Sequence, residues 1–448
     1  MTDMTVGSPH THLWRYALPL LLGNWLQLSY NAVDTMIAGR FLGRSALAAE
    51  GIAGPVMNLV ILVVTGLCIG SGVLMGEAFG AKDLSRLRRL LANTLILGCG
   101  LCVCAAALGI LLTPRLMGAL AVPAEIWDIT GKYLRITFLG APFTFCYNAL
   151  AAALKSAGDS KTPLKFLAFS AVLNAGLDLI FLGVFHFGII CSAATTVFAE
   201  AVSAALALIF MLRHVRPLCP TRAQWRPNVT LLGTILRYGG QSALQQAIQP
   251  VCKVLIQGQV NALGLSAIAA FNAVTRVDDF ACIPEQGISS AISTFIAQNR
   301  GARKTSRIRS GFQAGIRLEG CYFLLIGAVT LLLKDQMVAL FVAGEGRAEV
   351  VALGSSYLGY MAFFYILPAM TNGFQGFFRG MGKLYTTILG TFLQASIRTL
   401  AACILAPKCG IAGIAFACAI GWSAMLLFEI PYYFITCHQK CLEREKIG

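Results

Sequence analysis

Apolar stretches of about twenty residues or more recur along the whole chain, with short polar segments between them. A helix needs about 20 mostly apolar residues to cross the hydrocarbon core of a bilayer. Backbone groups in lipid must bond within their own segment, and no ten-residue segments of alternating polarity occur, so the stretches predict helices. We predict twelve spans, at residues 13–38, 52–76, 91–113, 128–154, 163–185, 188–212, 233–262, 275–298, 313–333, 350–378, 384–406 and 411–436.

The composition agrees with an all-α integral membrane protein. Of 448 residues, 57% are hydrophobic and 12% are charged, which excludes a soluble globular protein, where about a quarter are charged. The net charge of +15 raises the question of a nucleic-acid partner. Because the basic residues lie in short clusters between apolar stretches, we expect the lipid bilayer as partner and no nucleic acid.

The distribution of Lys and Arg predicts the orientation. Loops that follow even-numbered spans carry most of them, including Lys82 to Arg89, Arg213 to Arg237 and Arg300 to Arg317, and the tail adds Lys440, Arg444 and Lys446. Loops that follow odd-numbered spans carry fewer, namely Arg40, Arg44, Arg115, Lys334, Arg347 and Lys408. Since cytoplasmic loops are rich in Lys and Arg, we expect a multi-pass protein of the plasma membrane with both termini in the cytoplasm.

The chain contains an internal repeat. A shift of 221 residues places FLGRSALAA, from Phe41, on ALGLSAIAA, from Ala262. An even number of spans in each half inserts both halves the same way up, an arrangement typical of transporters in which one half rocks against the other. We predict an N-terminal six-helix lobe at 1–212, a cytoplasmic linker at 213–237, and a C-terminal six-helix lobe with a cytoplasmic tail at 238–448.

Four segments carry a family resemblance. They are NAVDTMIAGRFLG in span 1, GEAFGAKD after span 2, LKSAGDSKTP after span 4 and TFIAQNRGARKTSR after span 8. Through them the chain resembles the bacterial multidrug and toxic compound extrusion (MATE) transporters over nearly its whole length, and is more similar to the DinF-like branch than to the NorM-like one. The resemblance implies two lobes in a V and a monomer without cofactor. It also implies a secondary antiporter that exports cationic or amphipathic small molecules in exchange for H+ or Na+ by alternating access.

Ionisable residues in the middle of a span are costly and are functional candidates. Asp34 lies in span 1 and Asp178 in span 5, where Asn174 shares a helix face with Asp178 at a spacing of four. The resemblance implies that Asp34, Asn174, Asp178 and Thr196 line the cation or proton site of the N-terminal lobe. Oxygen ligands of this kind suit Na+, and a pair of carboxyl groups also suits a proton. Both ions stay open, and no other metal is expected.

Several further polar residues are candidates for the substrate cavity or a gate. They are Asn31, Asn148, Gln249, Arg276, Asp278, Asp279 and Glu285. Gln249 stands where the NorM-like branch has a Glu, which favours coupling through the N-terminal lobe. Asp278 and Glu285, seven residues apart, share a helix face, and Arg276 can pair with Asp279. The alternative is a self-neutralising group of ion pairs at the extracellular rim, to which Lys253 and Arg398 could contribute.

Pro19, fifteen residues before Asp34, is a candidate hinge. Proline inside a helix frees a carbonyl and bends the helix. The hypothesis is that proton or cation binding at Asp34 changes the bend of span 1, and the alternative is a static kink. In span 2, Gly66, Gly70, Gly72 and Gly76 predict close helix packing.

Two other functions are alternatives to an antiporter. A lipid-linked oligosaccharide flippase of the same superfamily needs several basic residues inside the cavity to bind a pyrophosphate. An enzyme is not expected, because the chain has no HExxH, GxSxG or Gly-rich phosphate loop and its five His residues lie in loops or near the termini.

Overall fold

The computed structural model describes residues 2–342 and 346–445, and Lys446 of the predicted tail lies outside these ranges. The described residues form thirteen α-helices and no strand. The helices are α1 (Pro9–Phe41), α2 (Gly43–Gly80), α3 (Leu84–Ala119), α4 (Trp127–Ser156), α5 (Lys161–Asp178), α6 (Ile189–His214), α7 (Val229–Asn261), α8 (Leu265–Cys282), α9 (Glu285–Gly301), α10 (Thr305–Ala339), α11 (Arg347–Phe364), α12 (Ile366–Gly380) and α13 (Leu384–Glu445). A π-helical segment, Leu179–Val184, extends α5.

These helices account for all twelve predicted spans. Seven are long and apolar enough to cross a membrane by length and composition alone, and the bent pair of α11 and α12 makes an eighth. Predicted spans 1, 7 and 8 correspond to α1, α7 and the pair of α8 and α9. The long α13 contains the last two spans, because the backbone at Gly410 is not helical (φ 58°, ψ −139°).

The predicted start of the eighth span, residue 275, was wrong. The helix begins at Leu265, directly after Gly264, whose φ of 97° only glycine adopts readily. It then breaks between Cys282 and Glu285, at Pro284, which donates no backbone hydrogen bond and whose ring collides with the carbonyl one turn earlier. The charged group from Arg276 to Asp279 therefore lies well inside the helix, where the sequence had suggested the start of the span.

The predicted tenth span is also broken. Its two helices, α11 and α12, meet at Tyr365 with a bend of 46°. Pro368 stands in the first turn of α12, where a missing backbone donor costs little. The break therefore allows one span to present polar side chains in two different directions.

The described residues divide into two compact units. Unit 1 contains the residues up to Gly7, Leu22–Leu244 and Ala297–Lys304, and unit 2 contains Ser8–Leu21, Gln245–Ile296 and the residues from Thr305 onward. The lobe limits read from the sequence stay a prediction.

The core of unit 1 forms where α4 packs against α2, α3 and α6. Phe145, Leu87, Leu91 and Leu154 are fully buried there. In unit 2, α11 packs against α8 and α10, and α12 against α13, around buried Tyr357, Val274 and Ile414. Each unit thus has its own apolar core.

Close helix packing explains part of the glycine pattern in α2. A Cβ at Gly66 would lie 2.5 Å from the backbone of Ala243, and one at Gly70 would lie 2.5 Å from Gly239 N, both in α7. At Gly72 the nearest atom is Ala152 Cβ at 3.7 Å, an ordinary contact. The prediction of close packing is therefore confirmed for Gly66 and Gly70.

We expect Gly70→Ala to destabilise the protein by about 1–3 kcal/mol, because the added methyl group meets rigid backbone. The matched variant Gly72→Ala should be neutral or stabilise by up to about 1 kcal/mol, because alanine favours the helix and the methyl group fits. Thermal unfolding of the detergent-solubilised protein measures both. A melting temperature for Gly70→Ala at or above that of wild type would contradict the close approach of α2 and α7.

Candidate functional site

Three helices of unit 1 bring together the polar residues predicted for the N-terminal site. The Tyr30 hydroxyl of α1 donates to Asn174 Oδ1 of α5 at 2.8 Å. Asn174 Nδ2 in turn donates to Thr196 Oγ1 of α6 at 3.4 Å. Asn174 is only 1% exposed. A chain of hydrogen bonds therefore links α1, α5 and α6 at mid-span.

Asp178 lies beside this chain and is completely buried. The Thr195 hydroxyl donates to Asp178 Oδ1 in a short hydrogen bond. No donor in the described residues reaches Asp178 Oδ2. The neighbouring polar group is the half-buried carboxyl of Asp34, which interacts directly with Asp178.

Two carboxyl groups in contact repel each other when both are ionised, and repulsion is strong where the dielectric constant is low. A proton or a cation between them removes the repulsion. The oxygens of Asp34, Asp178, Asn174 and the neighbouring threonines are the ligand type that Na+ accepts, and the unpartnered oxygen of Asp178 is where a proton or ion could bind. The residues present therefore fit either coupling ion.

Two further carboxyl groups act on this site, Glu50 on the two aspartates and Glu200 on Tyr30, and the sequence did not identify their role. Glu50 of α2 interacts electrostatically with both Asp34 and Asp178. Glu200 of α6 accepts a hydrogen bond of 2.6 Å from the Thr144 hydroxyl of α4. The second span had been predicted to begin at residue 52, which left Glu50 in a loop, whereas α2 begins at Gly43.

Thr195 and Tyr30 were also missed. The resemblance selects Thr196, but its neighbour Thr195 makes the hydrogen bond to Asp178. Tyr30 precedes Asp34 by four residues, so the spacing along α1 already places both on one face. That spacing could have identified Tyr30 as a candidate from the sequence.

The structure does not bring Asn31 and Asn148 into this group. Asn31 is exposed and accepts a hydrogen bond from Gln27 of its own helix at 3.2 Å. Asn148 donates to the carbonyl of Thr144, also in its own helix, at 2.8 Å. Pro19 lies in α1, and the division between the two units falls between Leu21 and Leu22, just after it.

The acidic residues predicted near span 8 belong to unit 2 and have separate partners. Asp278 accepts hydrogen bonds from the hydroxyls of Tyr365 at 2.6 Å and Tyr357 at 3.1 Å. Asp279 pairs with Lys253 of α7 at 2.8 Å, while the side chain of Arg276 is exposed. The ion pair that the sequence suggested between Arg276 and Asp279 is replaced by the pair with Lys253.

The sequence suggested that these acids lie at the extracellular rim, and that Asp278 and Glu285 share a helix face. The helix positions agree with neither suggestion. Asp278 lies about 20 Å along α8 from its first residue. Glu285, beyond the break at Pro284, is 1% exposed and accepts a hydrogen bond from Asn372 of α12 at 3.2 Å. Gln249 donates to Gln394 of α13 at 3.0 Å. The break separates Asp278 from Glu285, so each contacts a different helix.

Comparison with known proteins gives consistent results. A family model described as MatE matches residues 19–180 and 242–404, once in each half of the chain. The chain is 27% identical over 387 residues to "Probable multidrug resistance protein YpnP" of Bacillus subtilis (strain 168), with 86% of each chain covered. It is 28% identical over 450 residues to "Probable multidrug resistance protein YoeA" of the same strain, with 96% of each covered.

Among solved structures, "Crystal structure of MATE in complex with MaL6" superposes with a TM-score of 0.92 at 21% identity and covers 98% of each chain. At this identity the likeness concerns the fold alone. This fold agrees with the twelve predicted spans, for which the thirteen helices account.

Thr195→Val should destabilise the protein by about 1–3 kcal/mol, because it leaves a buried oxygen of Asp178 without its donor. Thr196→Val is the matched variant, since both threonine hydroxyls also contact the carbonyl of Ser192 and Thr196 differs by its longer contact with Asn174. It should cost less, about 0.5–1.5 kcal/mol. Thermal unfolding at constant pH compares them. A larger loss for Thr196→Val would contradict the assignment of Thr195 as the partner of Asp178.

Proposed function

Because this chain belongs to the MatE family, we propose that it is a secondary active antiporter that exports cationic or amphipathic small molecules, drugs and toxic metabolites among them, in exchange for H+ or Na+. The names of the relatives YpnP and YoeA, both described as probable multidrug resistance proteins, support drug export as the general activity. The exchange, the ion and the mechanism of alternating access are the parts that need testing.

The observation that carries the coupling proposal is the buried carboxyl of Asp178, whose Oδ2 has no donor among the described residues and which interacts with the neighbouring carboxyl of Asp34. With both groups ionised the contact is repulsive, and with a proton or Na+ bound it is not. Tyr30, Asn174, Thr195 and Thr196 hold the two acids in place from α1, α5 and α6. Loading and release of the ion therefore change the interaction between α1 and α5.

Pro19 is a position at which α1 can bend when its interaction with α5 changes. The residue lies about 22 Å from Asp34 along the helix. A proline leaves one backbone carbonyl without its usual donor, so the helix bends there at lower cost than elsewhere. We propose that ion binding at Asp34 shifts α1 between two degrees of bending, and that the shift alters access to the substrate.

A flippase for a lipid-linked oligosaccharide is less well supported. A pyrophosphate would need basic side chains in its binding site. The ionisable residues assembled in the candidate site are the carboxyl groups of Asp34, Glu50, Asp178 and Glu200. Negative charge favours a cation or a cationic substrate.

The remaining parts of the proposal concern the membrane location of the protein, its orientation and its oligomeric state. We propose that it lies in the plasma membrane with both termini in the cytoplasm, because the basic loops follow the even-numbered spans. We expect it to act as a monomer, without a cofactor and without enzymatic activity.

Efflux of ethidium from proteoliposomes, under a pH gradient or a Na+ gradient applied separately, tests the coupling. We expect wild type to respond to one gradient, and Asp34→Asn to reduce that efflux rate about tenfold or more, equivalent to about 1.4 kcal/mol or more in activation free energy. Asp128→Asn is the control, because Asp128 is exposed and pairs with Lys132 of its own helix.

Three results would contradict the proposal in different ways. Undiminished efflux by Asp34→Asn would move the coupling site to Asp278, Asp279 or Glu285. An equal loss in Asp128→Asn would indicate a general effect of lost charge. Efflux that follows neither gradient, with several cationic dyes, would favour the flippase.

A further inference from the structure

Unit 2 contains a pair of buried acidic residues that the proposed coupling mechanism does not use. Glu285 begins α9 and Glu319 lies in the middle of α10. Their exposed fractions are 1% and 0%. A buried carboxyl group is costly unless it is neutralised or paired, so two of them at one place require an explanation.

The two carboxyl groups each lie beside one of two consecutive residues of α12, Asn372 and Gly373. Asn372 of this turn donates to Glu285 Oε2 at 3.2 Å. A Cβ on the next residue, Gly373, would lie 3.8 Å from Glu319 Cγ. Glu285 also acts electrostatically on Glu319. The absence of a side chain at Gly373 therefore leaves room for Glu319 to approach the partner of Glu285.

Glu319 lacks hydrogen-bond donors. Within residues 2–342 and 346–445, neither of its carboxyl oxygens has a hydrogen-bond partner. The ion pairs in the same ranges join Lys132 with Asp128, Lys253 with Asp279, and Arg300 with Glu77, so neither Glu285 nor Glu319 has a basic partner there. Arg317, two residues before Glu319, points to a different face of α10 and contacts His10.

The other groups facing the pair are neutral. Tyr322 of α10 donates its hydroxyl to the carbonyl of Ala281 at 2.8 Å, and Cys282 lies at the end of α8 close to Glu285. Asp278 and Asp279 lie beyond Cys282 and add negative charge. The buried Arg398 acts on Asp278. Within the described part of the chain, no basic side chain acts on Glu285 or Glu319 themselves.

The repeat argues that packing alone does not require these acids. At the shift of 221 residues, Glu285 falls on Val64, and Glu319 falls on Gly98. The corresponding helices of the N-terminal half pack without an acidic residue at these places. The two carboxyl groups are therefore an addition specific to the C-terminal half.

We propose that Glu285 and Glu319 form a second proton-binding site, located in unit 2 and independent of Asp34 and Asp178. The bound proton neutralises one carboxyl group and removes its repulsion with the other. A proton fits better than Na+, because Asn372 directs its amide N–H toward Glu285 and the surroundings offer few additional oxygen ligands. The site does not depend on the proposed antiport, since it concerns proton binding alone.

Infrared difference spectroscopy of the full-length protein in lipid nanodiscs tests the site by the C=O stretch of protonated carboxyl groups. We expect wild type at neutral pH to show a component that is lost in the double variant Glu285→Gln/Glu319→Gln. The control Asp335→Asn, at an exposed acid of the same helix, should retain it. Other buried or half-buried carboxyl groups, such as those of Asp34, Asp178, Glu200 and Glu429, remain in all three proteins. Their infrared signals therefore cancel when the proteins are compared.

Equal intensity in wild type and the double variant would overturn the proposal. If the double variant does not fold, each single variant should show reduced or shifted intensity, because each carboxyl group influences proton binding at the other. Unchanged spectra for both single variants would overturn the proposal equally. Loss of the component when Na+ is added at constant pH, seen only while Glu319 is present, would replace the proton with a sodium ion. None of these results depends on dye efflux, so they are separate from a failure of the proposed function.

Discussion

Within a bilayer every backbone N–H and C=O must find its partner inside the protein, and this requirement organises the whole chain. It turns the apolar stretches into helices and confines irregular backbone to a few places. Those places coincide with residues that permit them, namely Gly264, Pro284, Pro368 and Gly410. The same requirement applied to side chains makes each buried carboxyl group an exception that needs a partner.

The partners of these acids separate structural from functional roles. Both oxygens of Asp278 accept hydrogen bonds from tyrosines, and Asp279 is paired with Lys253. Such groups stabilise the protein in one ionisation state and have little capacity for a ligand. Asp178 and Glu319 instead keep oxygens without a donor in the described residues. An unsatisfied buried group costs about 1–3 kcal/mol, which an ion or proton can recover on binding.

The sequence predicted the fold more completely than the site. Span number and helix type follow from apolar length, and they were confirmed. Asp34, Asn174 and Asp178 were found because each is polar inside an apolar stretch. Glu50 was missed through an error of nine residues in the start of α2. Tertiary contacts, such as the choice of Thr195 over Thr196 as the partner of Asp178, depend on helix rotation, which apolar periodicity does not define closely enough.

Glu319 and Glu429 were also missed in the sequence, but for a different reason. Both lie inside predicted spans, and the rule that selected Asp34 applies to them equally. The family resemblance directed attention to the N-terminal half, where the matching motif residues are. The structure shows that Glu429 is fully buried in unit 2 and accepts a hydrogen bond from Gln375, while Glu319 lies beside Gly373, the residue after the partner of Glu285. The two halves thus share a helical framework but differ in buried acids, so ionisable chemistry has to be assigned to each half from its own side-chain contacts.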